Sequence, residues 1–181
     1  IDTDQLYVFD TLEKKGYYLT NEPRFTQFSN PRFSPNGKNI VVSRKDPQTG
    51  FRDIVMYSNT GTKLKNITKD FHKDAHPIYS RDGSKIYYSS FQSGVANIHA
   101  YHLKTGKTKQ VSNVLTGVFQ PMPSPDNREL YVRHYGSLNS GIKKFFVSNR
   151  PHYALATELP NSGYTPENTT EYALHSHDVH D

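Results

Sequence analysis

The ten residues that start at Pro31, PRFSPNGKNI, return as PIYSRDGSKI from Pro77 and, in a worn form, as PMPSPDNREL from Pro121, at intervals of 46 and 44 residues. A period near 45 residues belongs to repeat architectures, in which each copy is one supersecondary unit that cannot bury its own apolar surface without a neighbour. The question of function is therefore a question about an array of units.

Inside one period the signals follow a fixed order. Pro31-Arg32-Phe33-Ser34 is a short extended run, with a proline at its start because proline cannot donate to a strand ladder. Asn36-Gly37 and Asp82-Gly83 are hairpin marks, since both dipeptides accept positive φ; Asp126-Asn127 is a weaker form of the same mark. The second strand follows as Ile40 to Ser43, Ile86 to Ser89 and Leu130 to Arg133, all β-branched or aromatic in character. A polar connection with Gly50, Gly94 or Gly141 leads into a third strand, Asp53 to Tyr57, Asn97 to Tyr101 and Ile142 to Phe146. Thr60-Gly61 and Thr105-Gly106 turn the chain into a fourth strand, Lys63 to Thr68 and Lys107 to Ser112, which ends on an apolar residue and a hydroxyl.

The closing hydroxyl recurs at 20, 68, 112 and 157, so the chain holds three full units and a half. The half lies at the front, where residues 6–10 and 17–20 read as a third and fourth strand only. Four antiparallel strands per 40 to 50 residues, with no stretch of helical periodicity, predict an all-β fold: a β-propeller of four-stranded antiparallel blades, about three and a half of them. The expected layout is a half blade at 1–20, blades at about 25–68, 71–112 and 116–157, and a linker or tail at 158–181. An arc of this size has two open sheet edges, so either further blades precede it or copies of the chain associate to close the ring.

Bulk properties narrow the function classes. The charge of +5 is spread singly through turns, with no run of five or six basic residues to make a nucleic-acid or membrane patch. There is no cysteine, hence no disulfide frame and no thiolate metal site. No segment approaches the ~20 apolar residues of a membrane span. Mean hydropathy is −0.78, yet 13 tyrosines and 10 phenylalanines supply large apolar bodies suited to thin aromatic sheets.

The string Pro-x-Phe-Ser-Pro-Asn-Gly-Lys-x-Ile, followed by Asp-Ile-Val-Met-Tyr-x-x-x-Gly and then Ile-Thr, resembles the blade repeat of TolB-type propellers over about residues 5 to 157. The third unit departs from it, with Pro123 in place of an aromatic residue and Asn127 in place of glycine. The resemblance implies a propeller of six or so blades, periplasmic or exported, that acts as a binding scaffold; relatives include the partner of the peptidoglycan-associated lipoprotein in the Tol system. Similar blades form the non-catalytic domain of prolyl oligopeptidase and dipeptidyl peptidase relatives and occur in oligogalacturonate lyases, where a histidine-rich face carries manganese. That ligand set has no residue-by-residue match in this chain.

In this blade order the first strand is innermost, so the residues just before each proline, Asn30, His76 and Gln120, are expected at the central channel, with Asp74 beside His76 as a cation or ligand candidate. Ordered channel water is the plainer occupant of those groups. The tail residues His175, His177 and His180 suit a divalent metal by chemistry. In an extended strand, however, His175 and His177 share one face and His180 the other, so a solvated tail that binds metal adventitiously is the simpler reading. No cofactor is otherwise expected. Nucleophile elbows, zinc-protease motifs and phosphate loops are absent, and Ser34, Ser80 and Ser124 recur with the period, which ties them to turn chemistry. The expected function is thus a non-enzymatic scaffold for a protein or peptide partner in the cell envelope, with Phe71, Phe91 and Phe119 as rim anchors or as packing between blades. The alternative is the accessory propeller domain of a serine peptidase or polysaccharide lyase.

Overall fold

In the computed structural model, residues 3–136, 140–147 and 156–158 are described. Strands β1 (Tyr7–Asp10) and β2 (Lys15–Tyr18) form a two-stranded sheet. Three four-stranded antiparallel meanders follow: β3 (Gln27–Phe33), β4 (Asn39–Lys45), β5 (Arg52–Ser58) and β6 (Lys63–Asn66); β7 (Asp74–Tyr79), β8 (Lys85–Ser90), β9 (Asn97–His102) and β10 (Thr108–Gln110); β11 (Val118–Pro123), β12 (Glu129–Tyr135), β13 (Ser140–Phe146) and β14 (Ala156–Glu158). Strand β7 lies against β3, β4 and β5, and β11 lies against β7, β8 and β9, so successive sheets pack face to face from their first strands outward. The fold is all-β, a partial β-propeller.

The second strands show why the sheets stack. Ile40 and Val42 point into a core shared with Leu6, Leu19, Val55 and Tyr57, while Val41 points the other way, toward Ile54, Ile86, Tyr88 and Tyr101. Tyr87, Ile98 and Ala100 enter a third core with Val118, Leu130, Val132 and Phe145. Both faces of β4 and β8 are buried, and Ile40 to Val42 and Ile86 to Tyr88 are accordingly continuous apolar runs, whereas β12 buries Leu130, Val132 and His134 on one face and alternates. The half unit packs on one side only: Leu6 and Leu19 cover the first sheet as the third and fourth strands of a full unit would, while β1 and β2 are largely exposed.

The hairpins differ from a two-residue Asn-Gly turn. Gly37, Gly83 and Asn127 have φ of 69°, 70° and 59°, but Asn36, Asp82 and Asp126 do not reach positive φ. The amide of the positive-φ residue donates to the carbonyl of Ser34, Ser80 or Ser124 at 2.9–3.0 Å. That geometry is a type I turn followed by a left-handed residue, which explains why Pro35 and Pro125 are accepted at the turn's first central position. Asn127 replaces glycine at a position asparagine tolerates, so the worn third copy still turns. Each serine hydroxyl donates to the following Asn or Asp at 2.6–2.7 Å and accepts the amide of Asn39, Lys85 or Glu129 at 2.9–3.0 Å. At the other hairpin of the first unit, a side chain at Gly61 (φ 89°) would run into the Leu19 carbonyl.

The closing hydroxyls have a role beyond turn chemistry. Thr20, Thr68 and Ser112 accept the amides of Leu6, Ile54 and Ile98 at 2.8–2.9 Å and donate to the side chains of Gln5, Asp53 and Asn97 at 2.9–3.3 Å. Those side chains in turn accept the amides of Glu22, Asp70 and Val114. The fourth strands end sooner than expected, at Asn66 and Gln110, because the next two amides both turn to the carbonyl of Ile54 or Ile98.

Two predictions follow from these networks. Ser112→Ala leaves the buried Ile98 amide without an acceptor and is expected to cost about 1–3 kcal/mol, read as a lower urea midpoint at unchanged slope. The Ser80 hydroxyl and Ser84 amide hold the Asp82 carboxyl below the usual carboxylate range, and Ser124 with the Arg128 amide does the same for Asp126. A depressed pKa stabilises the fold above the unfolded value, and that contribution is lost as the pH falls through the folded one. The Asp82→Asn/Asp126→Asn variant, which copies Asn36, should therefore lose less stability than the parent chain below about pH 4, in denaturation midpoints measured across that range.

Candidate partner-binding face

The antiparallel order of each meander sends its connections to two opposite edges. The serine turns and the third-to-fourth-strand turns lie at one edge. At the other lie the second-to-third-strand connections, the linkers between units at 67–73 and 111–117, and the starts of β7 and β11. The site candidates gather at and just below this linker edge.

Asn30, His76 and Gln120 share a conformation that a sequence pattern does not announce. Their φ values are 56°, 56° and 53°, all left-handed. The ladder skips at the same places: between Ser29 and Arg32, Ala75 and Ile78, and Phe119 and Met122, two residues of the inner strand oppose one of its neighbour. Each is a β-bulge of the kind that usually carries glycine at its first position. The prolines therefore sit inside the first strand, at the bulge, where a missing amide costs no ladder bond, and the strands begin earlier, at Gln27, Asp74 and Val118. Gln120 is exposed, whereas Asn30 and His76 are half-buried. The ring of His76 lies edge-on to Phe119, with its centroid 6.3 Å away, and its buried Nδ1 has no hydrogen-bond partner. Burial, then the charges of Lys73 and Arg52, push its pKa down.

Asp74 and His76 do not form a pair. Asp74 is fully buried, and its carboxylate groups with those of Asp53 and Asp70. Its carbonyl accepts the Ser43 hydroxyl of the preceding sheet at 2.8 Å, and at the next junction the bond is reversed, with the Ser89 hydroxyl accepting the backbone amide of Gln120 at 3.3 Å. These serines tie each second strand to the next inner strand. His175, His177 and His180 lie outside the described residues.

The aromatic candidates separate into two groups. Phe71 is 77% exposed and meets Phe51 edge-on at 5.4 Å. Phe91 and Phe119 pack on each other at 5.8 Å, and Phe119 continues to Tyr135 at 5.4 Å. Cations sit on this row: Lys73 Nζ lies 5.7 Å from the Phe91 ring centroid, and the Arg133 guanidinium 4.7 Å from that of Tyr135. The result is an arc of aromatic rings and basic groups along the linker edge. Phe51, Tyr135, Lys73 and Arg133 did not stand out in the sequence. Tyr135 was findable, because the unit register places it at the position of Phe91.

Residues 3–169 match the family model of the TolB β-propeller domain. The chain belongs to the TolB β-propeller family. Over 127 residues, 68% of this chain, it is 27% identical to a Tol-Pal system protein TolB of Francisella tularensis, and it spans about a quarter (26%) of that relative's length. The crystal structure of TolB from Acinetobacter baumannii superposes with a TM-score of 0.70 at 18% identity, covering 84% of this chain and 37% of that one. Porphyromonas gingivalis dipeptidyl peptidase 4 superposes with a TM-score of 0.62 at 13% identity, covering 79% of this chain and 21% of that one. At such identities these structures share the fold. Among the described residues no helix is long and apolar enough to cross a membrane.

The left-handed bulge yields a test. Gln120→Val places a β-branched residue where φ is positive and is expected to destabilise the chain by about 1–2 kcal/mol, while Gln120→Gly should be neutral or stabilising. Equal urea midpoints for the two variants would show that the bulge is not held in this conformation in solution.

Proposed function

We propose that this chain forms part of a TolB-like propeller scaffold that binds a protein or peptide partner in the cell envelope, through its linker edge. The arc Phe51–Phe71 and Phe91–Phe119–Tyr135, interleaved with Lys73 and Arg133, carries the reading. Aromatic residues and arginine dominate the energetic centres of protein interfaces, and here they lie side by side on one edge, with Phe71 77% exposed. The cations already lie on ring faces, so a partner's carboxylate or carbonyl meets a preorganised basic group rather than a mobile one. The Tol system as the place of action rests on the naming of the relatives as Tol-Pal system proteins, and the cell-envelope setting follows from it.

Isothermal titration of the 181-residue chain with the soluble domain of the peptidoglycan-associated lipoprotein from the same cell tests this. Saturable binding is expected, weakened at least about ten-fold in Phe51→Ala/Phe71→Ala and unchanged in Lys38→Ala/Arg128→Ala at the opposite edge. No binding, or binding lost only in the opposite-edge variant, would overturn the proposal.

A further inference from the structure

Three junctions between consecutive sheets can be compared position by position, because the same hydrogen bonds frame each one. The residue that accepts from the closing hydroxyl is Gln5, Asp53 or Asn97. The residue whose amide it accepts in turn is Glu22, Asp70 or Val114. Two residues before the bulge stands Phe28, Asp74 or Val118, and the end of the second strand carries Arg44, Ser90 or His134.

At the first junction one carboxylate, Glu22, is neutralised by Arg44, which binds it through Nε and Nη2 at 2.9–3.0 Å. At the third junction the equivalents of the acids are an amide and two valines. Only the middle junction brings three carboxylates together, and there the arginine position is Ser90. Their oxygens all lie within 4.8 Å of one another. Asp74 is 0% exposed, and neither of its carboxylate oxygens has a hydrogen-bond partner, although the hydroxyls of Ser90 and Thr68 stand near enough to favour its charged form. The neighbouring cations are engaged elsewhere: Arg52 Nη1 donates to Ser29 Oγ at 2.8 Å, and Lys73 lies on Phe91. His72, half exposed, touches Asp70 alone, at 3.2 Å.

We propose that the Asp53, Asp70 and Asp74 carboxylates at this junction bind a calcium ion. The donor set is oxygen only, which selects a hard cation over zinc or copper. Calcium accepts six to eight oxygens at ~2.3–2.6 Å in irregular geometry, so three carboxylates of unequal burial complete its shell with water arriving past the partly exposed Asp70, where magnesium would demand a regular octahedron. Bound there, the ion ties the start of β5 and the linker to the start of β7. Burial first, and the charge of the neighbouring acids after it, raise the pKa of Asp53 and Asp74, and the charge of the ion offsets the second of these causes.

The competing account is that the acids share protons and bind no metal. Thermal melting of the 181-residue chain in EDTA and then in calcium chloride separates the two. Calcium at a hundred-fold excess over its dissociation constant is expected to raise the midpoint by about 5–10 °C, with a smaller rise for magnesium. The rise should vanish in Asp74→Asn and in Asp70→Asn and persist in Asp126→Asn, an acid of the opposite edge. Because Asp74→Asn alters a buried site, Asp70→Asn at the rim decides the matter if the former does not fold. The histidine tail does not compete, since calcium does not favour imidazole. A midpoint indifferent to calcium, a magnesium rise equal to or above that of calcium, or an Asp70→Asn variant that keeps the full rise would each overturn the assignment.

Discussion

The rest of the structure depends on the burial of apolar sheet faces against one another, on both faces in the two sheets β3–β6 and β7–β10. A four-stranded meander of this length has two apolar surfaces and no interior of its own, so its cores must lie between sheets. The middle sheet shows the arrangement most plainly: Ile86, Tyr88 and Tyr101 serve the core on one side, while Tyr87, Ile98 and Ala100 serve the core on the other. Adjacent residues of one strand thus belong to different cores. A large substitution in a second strand is felt at two junctions, through direct contact at one and through strand displacement at the other, because packed interiors leave no slack.

Burial on both faces pushes polar chemistry to the sheet ends, and there the repeat supplies a standard joint. The closing hydroxyl, the amide it accepts and the side-chain oxygen it binds are the same at three junctions, with distances alike to within a few tenths of an ångström. The joint needs an oxygen acceptor at residues 5, 53 and 97 and is indifferent to its charge, since glutamine, aspartate and asparagine all serve. Charge at those positions is therefore free to be used for something other than folding. The same holds of the linkers, whose backbone is fixed by the joint while Phe71 and Lys73 project from it.

Much of this was legible in the sequence because turn chemistry is local. The serine turns could be read at Ser34, Ser80 and Ser124, since proline, asparagine, aspartate and glycine each restrict φ in a known way, and even the worn copy kept Asp126 and replaced Gly83 by an asparagine that tolerates a left-handed backbone. The bulges were not legible. Nothing in Asn30-Pro31, His76-Pro77 or Gln120-Pro121 specifies a positive φ; the preference comes from the neighbouring strands, which hold one residue opposite two. The expectation that each proline opens its strand failed for that reason. The acidic trio was hidden differently, as Asp53, Asp70 and Asp74 look unrelated until the register superposes the units and shows what stands at the same places on either side.

The bulge also decides which residue types the first strand of each meander can carry at that point. In a regular strand, consecutive side chains alternate between two faces. A left-handed residue interrupts that alternation at Asn30, His76 and Gln120. Such a position needs a residue that bears positive φ, and side chains that do so at low cost are few: asparagine and histidine are among them, with glutamine accepted at the exposed copy. The hydrogen-bonding character of Asn30, His76 and Gln120 is then a consequence of backbone geometry before it is a sign of any ligand. Side chains whose identity the backbone leaves free, such as Phe71 and Lys73, lie instead on the linker edge.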